Sequence, residues 1–212
     1  MKLSDINIRE KKFHNKLQAS GEKRFETIFY KAIYNVKEDF LNFLNENSKN
    51  SEVLDYGCGD GYYAEKVLNF YPKKMTGIDI SEVAISDAKK RAIDKNLSIN
   101  YSVDNCEKTK FEDNSFDIVY GTGILHHLQI NKCIDEINRI LKSNGKLVFI
   151  EPLGTNPLIN LYRKLTPNSR SVDEHPLLEN DFKYISSKFN EVKIKYYGFL
   201  TLIFFLFYKS PE

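Results

Sequence analysis

The chain has 212 residues, of which 42% are hydrophobic, enough to fill the core of one compact domain without disulfides or metals. Its 31 basic residues face 29 acidic ones, and a formal net charge of +2 excludes the strongly basic footprint of a nucleic-acid backbone binder. Three cysteines, Cys58, Cys106 and Cys133, with no C-x-x-C pair, exclude a disulfide framework and give no zinc signature; no metal is expected.

The first ten residues hold no apolar run of the kind a secretory signal needs, and no stretch approaches the ~20 apolar residues that span a bilayer. A soluble, cytoplasmic protein in a reducing compartment is expected. Residues 11–47 read as helical, with Phe25, Ile28, Phe29, Ala32, Ile33, Val36, Phe40, Phe43 and Leu44 recurring at three- and four-residue steps. They predict an amphipathic N-terminal cap over residues 1–50. A polar linker, 46–51, leads into a short buried strand at 52–56 that ends in a glycine turn and hands over to a helix at 61–70.

The alternation continues with strand 75–80, helix 82–95, strands 100–103 and 116–120, helix 130–141 and strand 146–151. Strands interleaved with helices imply a parallel sheet. Gly145, just before the last of these strands, is predicted to close its helix in the left-handed conformation. Residues 152–177 break the rhythm with Pro152, Pro157, Pro167 and Pro176 and read as a lid-like insertion. A helix at 179–189, a strand at 192–197 and the apolar run 201–208 follow; that run is too short to span a membrane and is predicted to be the last strand. The chain stops four residues later, which leaves open a longer natural C-terminus.

The strongest chemical signal is Asp55-Tyr-Gly57-Cys-Gly59-Asp-Gly61, where a buried strand meets a helix, with Asp79 at the tip of the next strand. Glycines admit a ligand close to the backbone, a helix N-terminus favours a carboxylate or phosphate, and an acid at the second strand end accepts from both hydroxyls of a ribose. Alone, such a cluster is also a plain tight turn. Tyr62 stands where the dinucleotide fingerprint needs its third glycine, which disfavours a nicotinamide enzyme, and no G-K-[ST] follows.

Val53-Leu-Asp-Tyr-Gly-Cys-Gly-Asp-Gly61 resembles the first motif of class I S-adenosylmethionine-dependent methyltransferases, and Gly77-Ile-Asp79-Ile-Ser81 the second. The stretch from Asn105 to Val119 is similar to that family's adenine-side loop and fourth strand, and Leu141-Lys-Ser-Asn-Gly-Lys-Leu147 to its turn before the fifth. The likeness covers residues 51–151. It implies a doubly wound, mostly parallel α/β sheet of seven strands with helices on both faces, an antiparallel last strand and the helical cap. The whole forms a single domain, with 152–212 supplying the substrate-side insertion and last strands.

By the same resemblance S-adenosylmethionine would lie along Asp55, Gly57, Cys58, Gly59 and Gly61, with Asp79 and Ile80 at its ribose. The register leaves Asp104 and Asn105 as alternatives for the adenine contact, beside Cys106, and Gly121 would face the sulfonium. Cys58 is a small thiol suited to the turn, not a nucleophile, and neither Cys106 nor Cys133 has a catalytic part.

Methyl transfer from a sulfonium is an in-line displacement in which positioning does much of the work and one proton is often removed. His126 and His127, after the fourth strand, are candidate bases; His127 is favoured, and buttressing of the loop is the alternative for each. Glu151 is a third candidate, with a structural acceptor as its alternative. His175, Arg163, Lys164 and Arg170 in the proline-rich segment, and Tyr30 and Tyr34 on the cap, are candidate substrate contacts whose bland roles are surface exposure and packing.

The expected function is methylation of a small molecule, at oxygen before nitrogen or carbon, in bacterial secondary metabolism or surface-glycan synthesis. Gly121-Thr-Gly-Ile-Leu-His-His127 lacks the Asn/Asp-Pro-Pro-aromatic signature of many nucleic-acid and protein amino-methyltransferases. That activity, a non-catalytic cofactor-binding role, and membrane contact through the C-terminal run are the rival readings.

Overall fold

The computed structural model describes residues 3–20, 34–155, 160, 164 and 171–197. Its elements are α1 (Asp5–Ser20), α2 (Tyr34–Asn47), β1 (Glu52–Tyr56), α3 (Tyr62–Leu68), β2 (Lys74–Asp79), α4 (Glu82–Asp94), β3 (Asn100–Val103) and β4 (Phe116–Thr122). A 3-10 turn (Leu125–His127), α5 (Ile130–Ile140), β5 (Leu141–Ile150) and α6 (Glu179–Lys188) follow.

Five strands among the described residues form one parallel sheet in the order β3-β2-β1-β4-β5. The chain fills one side of β1 with β2 and β3 and then crosses to β4. The carboxyl ends of β1 and β4 therefore flank the point where strand order reverses, the place where open α/β sheets bind ligands.

Strand residues alternate between the two faces. Leu54, Tyr56, Ile78 and Val119 pack on one face with Cys133, Ile134, Ile137 and Ile140 of α5, which recur at helical spacing. Val53, Met75, Ile118 and Tyr120 pack on the other with Phe40 and Leu44 of α2, Ala64 and Val67 of α3, and Ile85, Ala88 and Ala92 of α4. Each large aliphatic side chain so buried contributes about 1.5–3 kcal/mol. Ser81 caps α4 by accepting from the amide of Ala84 at 3.1 Å.

One expectation is extended and two change. The helical reading of 11–47 extends back to Asp5 in α1 and holds again in α2, while Phe25, Ile28, Phe29, Ala32 and Ile33 lie outside the described residues. Gly145 is not left-handed. Instead β5 begins directly after α5, and residues 141–146 bulge between its pairings of Leu141 with Phe116 and Lys146 with Ile118. A Cβ at Gly145 would stand 2.7 Å from Leu141 Cγ, so close packing, not backbone handedness, calls for glycine there. Residues 192–197 form no strand, and their expected neighbour, the run 201–208, lies outside the described residues.

The insertion is closed at its base. Leu153 and Leu177 form an isolated parallel bridge, Gly154 N–H donates to Leu177 C=O at 2.9 Å, and Leu177 N–H donates to Pro152 C=O at 3.1 Å. No helix among the described residues is long and apolar enough to cross a membrane.

Glu136 of α5 ties the loop after β3 to the core. Its buried carboxylate accepts from Thr109 N–H at 2.8 Å, Thr109 Oγ1 at 2.5 Å and Arg139 Nη2 at 2.6 Å. Burial would raise this carboxyl, but the bonds from Arg139 and Thr109 outweigh it and hold it below its ordinary value. A depressed acid stabilises the fold above its unfolded pKa and loses that contribution as pH falls through the folded one. Glu136→Ala is expected to cost about 1–3 kcal/mol in urea unfolding at pH 7, with the gap from the unaltered protein narrowing below pH 4; an equal gap at both pH values would contradict this account.

Candidate active site

The turn from β1 into α3 runs through three left-handed glycines, Gly57, Gly59 and Gly61, with φ of 75°, 52° and 78°. The amides of Gly57 and Cys58 both donate to Ile78 C=O, at 2.9 and 2.8 Å, locking the turn to β2. A Cβ at Gly57 would stand 2.5 Å from Ile124 Cγ1, whereas at Gly59 it would meet nothing within 4 Å. The first glycine is needed for packing; the second faces open space.

Asp79, half-buried at the end of β2, accepts from Gly59 N–H at 3.0 Å through Oδ2 and from Ser81 N–H at 2.8 Å through Oδ1. Ile80, also half-buried, lies beside it. Asp55 is buried beneath the turn and its Oδ2 has no hydrogen-bond partner. Burial, reinforced by the neighbouring Asp79 and Asp60, pushes the Asp55 carboxyl up to about 8.

Across β3, both oxygens of Asp104 are engaged with the loop, accepting from Asn105 N–H at 2.9 Å and Lys110 N–H at 3.0 Å. Asn105 accepts from Glu107 N–H at 2.9 Å and donates through Nδ2 to Asn7 Oδ1 of α1 at 3.2 Å. Burial pushes the thiols of Cys58 and Cys106 well up, which keeps both protonated and unreactive, and the Cys106 carbonyl accepts from the Tyr56 hydroxyl. Gly121 is buried against Phe149 and the Tyr56 carbonyl.

The histidine pair sits on the 3-10 turn after β4. Glu151 holds that turn, accepting from Ile124 N–H at 2.9 Å and Leu125 N–H at 2.8 Å through Oε1, while its Oε2 lies 2.7 Å from His126 Nδ1. His127 turns the other way, toward α1. Its Nδ1 lies 3.0 Å from Oε2 of Glu10, and Nε2 of His14, one helical turn beyond Glu10, lies 3.5 Å from the same oxygen. The His14 and His127 rings meet edge to face at 4.7 Å.

Burial pushes the His127 imidazole down to about 4. Burial alone would raise Glu10, but its contacts with His127, His14 and the Ser171 hydroxyl hold it well below the usual carboxylate range. Asn7, Glu10 and His14 escaped the sequence reading; the Glu10-x-x-x-His14 spacing, which puts both on one helix face, was the available signal.

The last part of the insertion joins this face. Arg9 of α1 makes two 2.7 Å bonds to Asp173, and His175 N–H donates to His126 C=O at 2.8 Å. Lys164 is exposed. Tyr30, Arg163, Arg170 and the side chain of Tyr34 lie outside the described residues.

Residues 54–149 match the family described as a methyltransferase domain. The ubiquinone/menaquinone biosynthesis C-methyltransferase UbiE of Rickettsia prowazekii is 38% identical over 123 residues, 54% of this chain and 49% of that one. Phosphoethanolamine N-methyltransferase 1 of Arabidopsis thaliana is 32% identical over 141 residues, 62% of this chain and 28% of that one. The chain thus spans about half the length, or less, of the curated relatives it matches. Among solved structures, phosphoethanolamine N-methyltransferase 2 of Haemonchus contortus, in complex with S-adenosyl-L-methionine, superposes with a TM-score of 0.62 at 22% identity, over 73% of this chain and 36% of that one. At this identity the superposition speaks for the fold. The matched segment, residues 54–149, is a little under half of the chain; it holds the glycine turn, the Asp79 carboxylate and the strand crossing, and it is similar to methyltransferase domains.

Proposed function

We propose that this protein transfers a methyl group from S-adenosylmethionine to a small-molecule acceptor. The observation that carries the reading is Asp79 bonded to the glycine turn beside the β1–β4 crossing, with the orphaned Asp55 oxygen below and open space at Gly59. These residues fit the cofactor. The Asp55 oxygen suits an ammonium group, the remaining lone pairs of Asp79 suit a ribose diol, and the Gly59 backbone admits the methionine part. Asp104 and Asn105 would shape the adenine side, with Ile80, Cys58 and Cys106 as walls and Gly57, Gly61 and Gly121 allowing close approach. When bound, the cofactor supplies an electrophilic methyl on a sulfonium.

The acceptor's place in this reading is the face enclosed by α1, the 3-10 turn and residues 171–177. His127 is the residue assigned to the acceptor's proton. It is 5% exposed, faces away from the Glu151 anchor, and its neighbour His126 is held by that anchor. Glu151, with its oxygens committed to the turn, serves as positioning carboxylate. Oxygen is the acceptor atom of this reading: a hydroxyl sheds a proton as it is methylated, and an imidazole is suited to take it. The relatives are named for carbon and nitrogen acceptors, and a ring carbon of a quinone is the second reading, favoured by the R. prowazekii match. The pathway expectation rests on sequence resemblance alone.

Calorimetric titration with S-adenosylmethionine and S-adenosylhomocysteine should give a Kd on the order of micromolar, no heat with NADH, and loss of binding in Asp79→Ala. An unaltered protein that binds neither methionine-derived ligand removes the reading.

A second test uses Asp55. Because its carboxyl titrates near 8 in the free protein, it is protonated at pH 7, and an ammonium seated on it favours the carboxylate. Binding at pH 7 should therefore release roughly one proton, measured as the dependence of binding heat on buffer ionisation enthalpy. Asp55→Asn should show no such dependence; equal release by both proteins would place the proton elsewhere.

A further inference from the structure

Two groups of three among the described residues bring metal-ligating atoms within 4.8 Å of one another: Glu10, His14 and His127, and His126, His127 and Glu174. The first is distinguished by how its atoms are left. Glu10 is 4% exposed and His127 5%, yet neither Glu10 Oε2 nor His127 Nδ1 has a hydrogen-bond partner, although the two atoms are 3.0 Å apart. Their approach is close, but its direction is not that of an N–H pointing at a lone pair.

Two buried polar atoms without hydrogen bonds cost about 1–3 kcal/mol each. Donor atoms about 2.0–2.1 Å from one shared cation lie roughly 3.0 Å apart at right angles and roughly 3.4 Å apart at the tetrahedral angle. The observed separations from Glu10 Oε2, 3.0 Å to His127 and 3.5 Å to His14, match such a pair of edges.

We propose that Glu10, His14 and His127 form a binding site for a divalent transition-metal ion that joins α1 to the turn after β4. Two imidazoles and one carboxylate suit zinc, iron(II), manganese or cobalt, whereas magnesium and calcium take oxygen donors. Glu10 Oε1, held by the Ser171 hydroxyl, fixes the carboxylate as an outer partner commonly fixes a metal ligand. Three protein ligands leave at least one position for an oxygen donor of the acceptor.

The site stands apart from the methyl-transfer reading; its part in the reaction rests on that reading. There His127 would serve as a ligand, the cation making a bound hydroxyl more acidic so that its proton passes to solvent as the oxygen takes the methyl group.

The test is titration of the full chain, after dialysis against a chelator, with Co2+ followed by its visible absorption and with Zn2+ by calorimetry. One ion per chain is expected, with at least about tenfold weaker binding in each of Glu10→Gln, His14→Ala and His127→Ala. Mg2+ should give no signal and Glu174→Gln should bind as the unaltered protein does. Glu10→Gln keeps the shape of the side chain, and circular dichroism of each variant confirms folding. Binding untouched by Glu10→Gln, binding lost only through Glu174→Gln, or no binding at all overturns the proposal. A chelated protein that still binds S-adenosylmethionine and methylates at full rate overturns the metal's part in the reaction and leaves the methyltransferase reading standing; metal binding without cofactor binding upholds the site and removes that reading.

Discussion

The carboxylate of Asp79 is the joint on which the rest of the site depends. One oxygen holds the Gly59 amide and the other the Ser81 amide, so a single side chain fixes the glycine turn of β1 to the start of α4. Ser81 extends the chain of contacts, capping α4 through its hydroxyl and donating to Asn15 Oδ1 of α1 at 2.5 Å. Without that carboxylate two amides at the crossing of the sheet would lose their acceptor and α1 would lose a fixed partner.

α1 settles on the core by an unusual face. Its two buried positions, Asn7 and Glu10, are polar, and the half-buried Lys11, His14, Asn15 and Gln18 add a polar stripe beside the half-buried Ile6, Phe13 and Leu17. The polar ones meet Asn105, His127, Ser81, Glu82 and Asp87. Burying such groups is unfavourable unless each finds a partner, so specificity of docking comes from matched donors and acceptors, not from apolar area alone. The same docking brings Glu10 and His14 to His127.

The parallel core was legible because buried strands read as short apolar runs between turn residues, and because the glycine turn needs its letters at fixed places. Residues 52–56, 75–80, 100–103 and 116–120 fall on β1 to β4 within a residue or two. Gly145 misled because glycine answers two different needs, a left-handed φ and room for a neighbour, and sequence does not separate them. α1 was read as helix only from residue 11, and its docking residues Asn7, Glu10 and His14 were passed over, because periodicity was sought in apolar residues and a polar stripe resembles a solvated face. Glu151 could be read as base or as acceptor; only the fold reveals the donors converging on it.

A helix seated on polar contacts obeys different rules of departure from one seated on grease. Water can replace the polar partners of α1 group for group, whereas the half-buried Ile6, Phe13 and Leu17 have no such substitute. Much of its hold is ionic, through Arg9 with Asp173 and Lys11 with Glu82 at the periphery, so dissolved salt weakens the outer contacts while the buried ones near His127 are shielded. The rim of α1 is thus the part of its seat that answers to ionic strength, and the contacts near His127 the part that does not.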